Sequence, residues 1–240
     1  MPNDPQENRD ALGRNLTYGL LDRLGSQIVG DAWAGRAFPT EAELSQQHGV
    51  SRSVTREAVK MLTAKGLLTA RPRQGTSIQP VSQWNLFDTD VLRWMLERRF
   101  SIDLLKQFGQ LRVAIEPAAA ALAAQEATDE GRALIEAGFA RMLAADAGRD
   151  DVLEADVAFH VAILKASGNP FFGQFRDVVS TALKTSIRYT NRIVGRSADL
   201  DAHEGVMAAI LARDPQQARA RMERIIVDAL DAIKHNESEG

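Results

Sequence analysis

Asp156 and His160 have side chains that often bind metal ions, and they lie four residues apart in a segment, 150–167, predicted to be helical. Residues at this spacing project from the same face of a helix, so both could reach one ion. Each also has a simpler interpretation, His160 as a hydrogen-bonded core histidine and Asp156 as a surface acid. The chain contains no cysteine, which excludes thiolate metal ligands, a disulfide framework and a cysteine nucleophile.

Arg52 and Arg56 are also four residues apart, and they lie in a basic part of the chain. Residues 36–80 contain seven basic and three acidic residues, whereas the chain from residue 81 onward contains 19 basic and 24 acidic residues. The net charge of −3 over 240 residues therefore hides a basic amino-terminal window and an acidic remainder. This asymmetry is typical of a polyanion-binding module joined to a separate body, although a chance fluctuation gives the same count.

The pattern of residues 16–79 predicts three helices followed by a β-hairpin. The predicted helices cover residues 16–34, 40–48 and 51–66, and the predicted strands cover 67–70 and 76–79. Thr40 and Glu43 form the sequence of a capping box for the second helix, and Ser51 is expected to cap the third. Three helices and a hairpin of this length predict a winged helix-turn-helix.

Beyond residue 85 the sequence shows helical patterns and no strand pattern. Helices are predicted over residues 104–122, 130–145, 150–167, 170–194, 199–213 and 215–236. Pro117 is expected to kink or break the first of these helices. Six helices with short connections predict an antiparallel bundle, so the predicted fold class is mainly α. The expected domains are a winged helix-turn-helix at 10–80, a packed linker at 81–95 and an all-helical domain at 96–236.

The sequence from Phe38 to Ile78 contains P-T-E-x-E-L, G-V-S-R, R-E-A, K-G-L and R-P-x-x-G-T without a gap, and it resembles the DNA-binding domain of the GntR family of bacterial regulators. The resemblance implies a recognition helix whose amino-terminal residues face the major groove, with a wing against the duplex. Ala42 stands where many relatives have an arginine, so one DNA contact of the family is missing. The residues expected to bind DNA are Ser51, Arg52, Ser53, Arg56, Arg71, Arg73 and Gly75.

The remainder of the chain resembles the FadR branch of the same family, whose carboxy-terminal domain is an all-helical ligand sensor. The matching residues are Leu111-Arg112 with Glu116-Pro117, Asp156 with Phe159-His160, Ser167-Gly168-Asn169-Pro170, and His203. In many members an Asp and three His hold a divalent metal, which implies Asp156, His160 and His203 as ligands here. The fourth position is Ile225. Zinc or a neighbouring first-row ion is the expected cofactor, and direct hydrogen bonding of an effector without metal is the alternative.

The same resemblance implies an effector pocket formed by Arg112, Asp156, His160, Asn169 and His203. Arg112 could hold the carboxylate of a small organic acid, or it could pair with Glu116 as an ordinary helix ion pair. Thr181, Thr185 and Arg188 are further candidates for this pocket.

The segment from Gln83 to Trp94 narrows the effector class. Gln83-Trp84-Asn85 followed by Asp88-Thr89-Asp90-Val91-Leu92 and Trp94 resembles the D-galactonate-responsive repressors of this branch. The resemblance implies a sugar acid such as galactonate, gluconate or a keto-deoxy derivative.

The expected function is that of a homodimeric, effector-controlled transcription factor that binds double-stranded operator DNA, with a repressor favoured over an activator. Residues 1–15 are polar and the chain has no long apolar run, so a cytoplasmic protein without a membrane partner is expected. Two other classes remain open. One is a metal-dependent hydrolase using Asp156, His160 and His203, which lacks a clear general base. The other is an architectural DNA-binding protein without an effector.

Overall fold

The computed structural model describes residues 5–71, 75–99, 101–184 and 199–238 of a chain that divides into two compact units. The first unit is Met1–Phe100 and the second is Ser101–Gly240. Within the described residues, strands form one two-stranded sheet and the other regular elements are helices. None of the helices in this part of the chain is long and apolar enough to cross a membrane.

The first unit contains the predicted winged helix-turn-helix. Its elements are α1 (Pro5–Val29), α2 (Glu41–His48), α3 (Arg52–Ala64), β1 (Leu68–Arg71) and β2 (Gly75–Ile78). The two strands are antiparallel, with Leu68 opposite Ile78. Helix α1 begins before the predicted segment 16–34, at Pro5. It also ends earlier than predicted, at Val29 instead of residue 34.

Local side-chain chemistry explains where α2 and α3 begin and end. The Thr40 hydroxyl accepts a hydrogen bond from the Glu43 amide at 3.3 Å, and the Glu43 carboxylate accepts one from the Thr40 amide at 2.7 Å. This is the predicted capping box. Gly49 ends α2 with a φ of 64°, a left-handed conformation that costs glycine little. Ser51 then caps α3 by accepting a hydrogen bond from the Val54 amide at 3.3 Å.

Residues 81–95, which the sequence assigns to a linker, lie in the first unit. Helix α4 (Thr89–Arg98) packs against α1. The side chain of Trp94 is fully buried, and its Nε1–H donates to Asp22 Oδ1 at 2.8 Å. Trp84 is also buried, and its Nε1–H donates to the Gln79 carbonyl at 2.9 Å. The unit boundary therefore falls after Phe100, because both indoles find apolar contacts and acceptors within the first unit.

An ion-pair cluster attaches the start of α4 to the end of α3. Lys65 Nζ lies 2.7 Å from Asp88 Oδ2 and 2.9 Å from Asp90 Oδ2, and most of its side chain is buried. Burial alone would lower the pKa of Lys65, but the two carboxylates raise it. Asp88 also caps α4 by accepting hydrogen bonds from the amides of Asp90 and Val91. Asp88 thus caps the first turn of α4 and also forms an ion pair with Lys65 at the end of α3.

The second unit is a helical bundle, as predicted. Its elements are α5 (Ile102–Glu126), α6 (Asp129–Asp146), α7 (Val152–Ala166), α8 (Pro170–Gln174), α9 (described over 176–184), α10 (Leu200–Leu211) and α11 (Pro215–Ser238). The predicted single helix 170–194 is instead divided near Phe175, and residues 185–194 lie outside the described residues. Pro117 does not end α5, which continues to Glu126.

Small residues allow the helices of the second unit to approach closely. Helix α5 packs against α7, α10 and α11, and α6 packs against α7 and α10. A Cβ at Gly138 of α6 would lie 3.0 Å from the Phe159 Cα of α7, and a Cβ at Gly109 of α5 would overlap the Leu230 side chain of α11. The glycine contacts hold α6 against α7 and α5 against α11, and α5 in turn packs against α7 and α10, the three helices that carry the polar side chains described below.

A pair of glycines in α1 tests the docking of α4. A Cβ at Gly25 would overlap the Trp94 ring, whereas nothing lies within 4 Å of a Cβ at Gly19. We expect Gly25→Ala to lower the free energy of unfolding by about 1–3 kcal/mol, because a methyl group overpacks this contact. Gly19→Ala should raise it by about 0.5–1 kcal/mol through helix propensity. Denaturant unfolding measures both, and a stabilised Gly25→Ala protein would contradict the contact.

Candidate functional sites

The amphipathic helix α3 builds the candidate DNA-binding surface. It buries one face, formed by Val54, Thr55, Ala58, Val59 and Leu62. The opposite face exposes Arg52 and Arg56, and the amino-terminal end exposes Ser51 and Ser53. Four of the residues predicted to bind DNA therefore share one exposed surface at the start of α3.

Local contacts orient these side chains without burying them. Arg56 Nε lies 3.6 Å from Glu41 Oε2 of α2, and the hydroxyls of Ser51 and Ser53 are 2.9 Å apart. The Arg56 side chain is 62% exposed. An exposed ion pair of this kind contributes about 0–1 kcal/mol, so Arg56 remains available to bind phosphate or a base edge.

The wing residues are described in part. Gly75 is exposed and begins β2 with a φ of 83°, a conformation that favours glycine. Arg71 is the last residue of β1, and Arg73 lies outside the described residues. The predicted roles of Arg71, Arg73 and Gly75 in DNA binding remain predictions.

A second candidate site lies inside the helical unit, where α7 and α10 bring Asp156, His160 and His203 together. His160 Nε2 lies 3.2 Å from Asp156 Oδ1, and His203 Nε2 lies 3.5 Å from the same oxygen. The potential ligand atoms of the three residues all lie within 4.8 Å of one another. All three side chains are buried, and the Phe159 ring packs edge-to-face against both imidazoles.

A contact with the backbone determines which ring nitrogen of His203 carries the hydrogen and which carries the lone pair. His203 Nδ1 lies 2.6 Å from the Asp199 carbonyl oxygen. Because a carbonyl only accepts, Nδ1 carries the hydrogen, and a neutral His203 has its lone pair on Nε2. His203 Nε2 and Asp156 Oδ1 are both buried and have no hydrogen-bond partner among the described residues. Unsatisfied buried acceptors facing each other are unfavourable unless a cation or a proton lies between them.

The cluster has the dimensions of a metal site. Ligand atoms about 2.0–2.1 Å from a tetrahedral zinc ion are separated from each other by about 3.3 Å. The two separations of 3.2 and 3.5 Å around Asp156 Oδ1 match this value. The residues present therefore fit a divalent ion with three protein ligands.

Glu116 belongs to the same cluster, although the sequence indicated it only as a partner for Arg112. Its Oε2 lies 2.6 Å from His160 Nδ1, and its side chain is almost completely buried. A glutamate within an otherwise apolar stretch of α5 was the available signal in the sequence, but the contact with His160 joins residues 44 positions apart. The pattern of a single helix could not show that contact.

Arg112 is buried beside Glu116 and engages it directly. Its Nε donates to Glu116 Oε1 at 2.6 Å, and its Nη2 lies 3.4 Å from Glu116 Oε2. The ion pair that the sequence offered as the alternative to a carboxylate clamp is therefore formed. Two of the five guanidinium donors are directed at Glu116, so an effector carboxylate would share Arg112 with it.

Charge pairing shifts the pKa values of the cluster strongly. Burial alone would raise the pKa of Glu116, but Arg112 and His160 outweigh burial and lower it to about 2. Burial also opposes charge on Asp156, yet the two imidazoles hold the pKa of its carboxyl well below the usual range. For His160, burial would lower the pKa, whereas Glu116 and Asp156 raise it to about 9. In the metal-free protein at neutral pH, His160 is therefore an imidazolium between two carboxylates.

The remaining residues predicted for the pocket have other contacts in the structure. Asn169 caps α8, where its Oδ1 accepts a hydrogen bond from the Phe171 amide at 2.9 Å. The Thr181 hydroxyl donates to the Asp177 carbonyl at 2.8 Å. Thr185 and Arg188 lie outside the described residues. Ile225 is half-buried on α11 and offers no metal ligand at the position where relatives have a third histidine.

A winged helix with exposed arginines at the start of its third helix, joined to a helical unit with a buried cluster of potential metal ligands, is typical of the class of ligand-responsive transcriptional regulators. Residues 20–78 match the family described as bacterial regulatory proteins, gntR family, and residues 107–228 match the FCD domain. The chain belongs to the GntR family and carries an FCD domain in its second unit.

Relatives over nearly the whole chain agree with this assignment. The uncharacterized HTH-type transcriptional regulator YieP of Escherichia coli (strain K12) is 35% identical over 87% of this chain and 91% of its own length. The galactonate operon transcriptional repressor of the same organism is 32% identical over 92% of this chain and 97% of its own. The solved structure of E. coli McbR/YncC shares the fold, with a TM-score of 0.52, 17% identity and coverage of 92% and 98%. The protein is therefore a regulator and not an enzyme.

The raised pKa of His160 predicts a pH-dependent stability for the metal-free protein. A group whose pKa is higher in the folded state contributes stability below its ordinary pKa of 6.5 and loses it as the pH rises through about 9. We expect the unfolding free energy of chelator-treated protein to fall over this interval, and His160→Gln to be less stable below pH 6.5 with a flatter profile. Denaturant titrations across pH 6–9.5 measure both, and parallel profiles would contradict a charged His160.

Proposed function

We propose that the protein is a cytoplasmic, homodimeric repressor that leaves its operator when a small sugar acid binds in the helical unit with a divalent metal ion. The observation that carries this proposal is the buried cluster of Asp156, His160 and His203, with two unsatisfied acceptors 3.5 Å apart. A divalent cation would satisfy both acceptors, and the charge of the cluster with that cation would then favour an anionic ligand.

DNA binding is assigned to the exposed start of α3. Arg52 and Arg56 project from one face and can each present paired donors to guanine O6 and N7 in the major groove. Ser51 and Ser53 can reach phosphates beside the helix amino terminus, where the backbone dipole also favours an anion. A homodimer would present two such helices to the two halves of a palindromic operator.

The charge balance of the buried cluster supports an acidic effector. With both histidines neutral, Arg112 contributes one positive charge, and Glu116 and Asp156 contribute two negative charges. A divalent ion held by Asp156, His160 and His203 would supply a Lewis-acidic centre with open coordination positions and would leave the cluster with one excess positive charge. One carboxylate brings that charge to zero, so the pocket favours a monoanion over a neutral sugar.

A 2-hydroxy acid suits the same arrangement better than a simple carboxylate. Its carboxylate and hydroxyl oxygens can bind one ion together, and three protein ligands leave positions for both once the ion becomes five-coordinate. Arg112 would add charge to this binding while it remains paired with Glu116. The name of the 32% identical relative, a galactonate operon repressor, supports galactonate or a related sugar acid. Another small organic acid with a 2-hydroxyl group satisfies the same charge and geometry and is the second candidate.

Arginine substitutions test the DNA-binding assignment. We expect Arg52→Ala to weaken binding to an operator selected from random duplexes by about 5- to 150-fold, the equivalent of one lost bidentate base contact of about 1–3 kcal/mol. The matched control is Arg176→Ala, a partly exposed arginine of the second unit that pairs with Asp177 and donates to the Gly173 carbonyl. Fluorescence anisotropy at fixed salt measures both affinities. An equal loss for both variants would contradict the assignment.

Effector release tests the sensing assignment. We expect galactonate, gluconate or a 2-keto-3-deoxy acid to release the operator from zinc-loaded protein, and the chelator-treated protein to respond much less. His203→Gln should keep operator affinity and lose the response, because it removes one ligand. Asp177→Asn, an exposed acid of the same unit, should respond like the wild type. If calorimetry detected no binding of any aldonate or ketoaldonate, with or without Zn²⁺, the sugar-acid proposal would fail.

A further inference from the structure

The metal-binding cluster has a second layer of contacts formed by Glu116 and Arg112. Glu116 is on α5, whereas the three candidate ligands are on α7 and α10. Its Oε2 is 2.6 Å from His160 Nδ1, and its Oε1 is 2.6 Å from Arg112 Nε. Both contacts are short, and all three side chains are buried.

We propose that Glu116 is a positioning residue for metal binding, which directs the Nε2 lone pair of His160 toward Asp156 and His203, and that Arg112 holds Glu116 in place. This inference rests on the proposed metal-dependent sensing and identifies residues that act on the ligands without touching the ion.

The argument begins with the two nitrogens of His160. A carboxylate is an acceptor only, so the 2.6 Å contact requires the hydrogen on Nδ1. A neutral His160 then has its lone pair on Nε2, which lies 3.2 Å from Asp156 Oδ1. Without Glu116, a neutral His160 could carry its hydrogen on Nε2 instead and donate it to Asp156. Nε2 would then have no lone pair with which to bind a metal ion.

His203 has the same arrangement with a different acceptor. Its Nδ1 donates to the Asp199 carbonyl at 2.6 Å, and its Nε2 faces Asp156. The structure therefore fixes both imidazoles through Nδ1 and turns both Nε2 atoms toward one carboxylate oxygen. For His203 the acceptor is backbone and cannot be substituted. For His160 it is a side chain, so the role of the acceptor can be tested.

Arg112 acts through Glu116 in this scheme. A buried carboxylate with only an imidazole N–H as partner would carry an uncompensated charge, and it could rotate away from His160. The guanidinium contacts both carboxylate oxygens, at 2.6 Å through Nε and at 3.4 Å through Nη2, and thereby sets the plane of the carboxylate. This role differs from that of an effector clamp, because it predicts that Arg112 affects metal affinity in the absence of any effector.

The first measurement is the affinity for Zn²⁺ alone, by competition with a chromophoric chelator on full-length protein. We expect Glu116→Gln to bind Zn²⁺ about 10- to 100-fold more weakly than the wild type, the range found for residues that orient metal ligands. Asp228→Asn is the matched control, because Asp228 accepts from Arg224 Nε four residues earlier on the exposed side of α11. Unchanged affinity in Glu116→Gln would overturn the inference.

A second variant separates positioning from a loss of folding. Arg112→Leu combined with Glu116→Met removes the buried ion pair together, which is often neutral for stability. We expect this double variant to remain folded and to show the same loss of Zn²⁺ affinity. Nitrogen-15 chemical shifts of the His160 ring report its tautomer and do not depend on stability. In the zinc-loaded wild type we expect one tautomer, with the hydrogen on Nδ1 and the metal on Nε2. In the variants we expect this tautomer to be no longer the single form present. Retention of it in both variants would overturn the inference.

Arg112→Met alone distinguishes positioning from clamping. A fall in the Zn²⁺ affinity of this variant, measured without effector, supports a positioning role for Arg112. Unchanged Zn²⁺ affinity together with lost effector binding would overturn that role. If the wild type binds no Zn²⁺, the inference and the metal-dependent part of the proposed function both fail. If Zn²⁺ affinity falls as expected but no sugar acid releases the operator, the inference stands and the proposed effector fails.

Discussion

Ionisable side chains buried in an apolar bundle are tolerated only when each one faces a group of opposite charge, and this constraint organises the second unit. Arg112, Glu116, His160 and Asp156 follow one another in space as alternating positive and negative groups, with His160 charged in the metal-free state. Each group is compensated by its neighbours. The cluster exists only while α5, α7 and α10 keep their mutual positions, because its side chains come from all three helices.

The same reasoning explains why the cluster is better interpreted as a ligand-binding site than as a purely structural network of buried polar residues. A structural network satisfies its members, and here Arg112 and Glu116 are satisfied by each other and by His160. His203 Nε2 is not, although it is buried, and Asp156 Oδ1 makes no hydrogen bond and faces only the charge of His160, at 3.2 Å. A side chain that costs free energy in the folded protein without a partner is more easily explained by a ligand than by stability.

The sequence predicted the winged helix, the helical bundle and the pairing of Asp156 with His160, because caps, periodic apolar positions and i, i+4 spacing are local properties. His203 was predicted only through the family resemblance, since it is 43 residues beyond His160 in the chain. It did not predict that Glu116 contacts His160, since this contact depends on the packing of α5 against α7. The contacts of the predicted linker also depend on distant residues. Trp94 and Asp88 contact Asp22 and Lys65, which lie 72 and 23 residues earlier in the chain.

The contacts of α4 and the position of α5 in the chain bear on how a signal could pass between the two units. Helix α4 belongs to the DNA-binding unit through Trp94, Lys65 and their acidic partners, and α5 begins at Ile102, directly after the boundary. Glu116 and Arg112 are on that same α5 helix. A ligand that changes the position of α5 therefore acts on the element whose first residues continue into the DNA-binding unit. A coupling of about 1–3 kcal/mol, common for regulators, needs only that α5 have different preferred positions with and without the ligand.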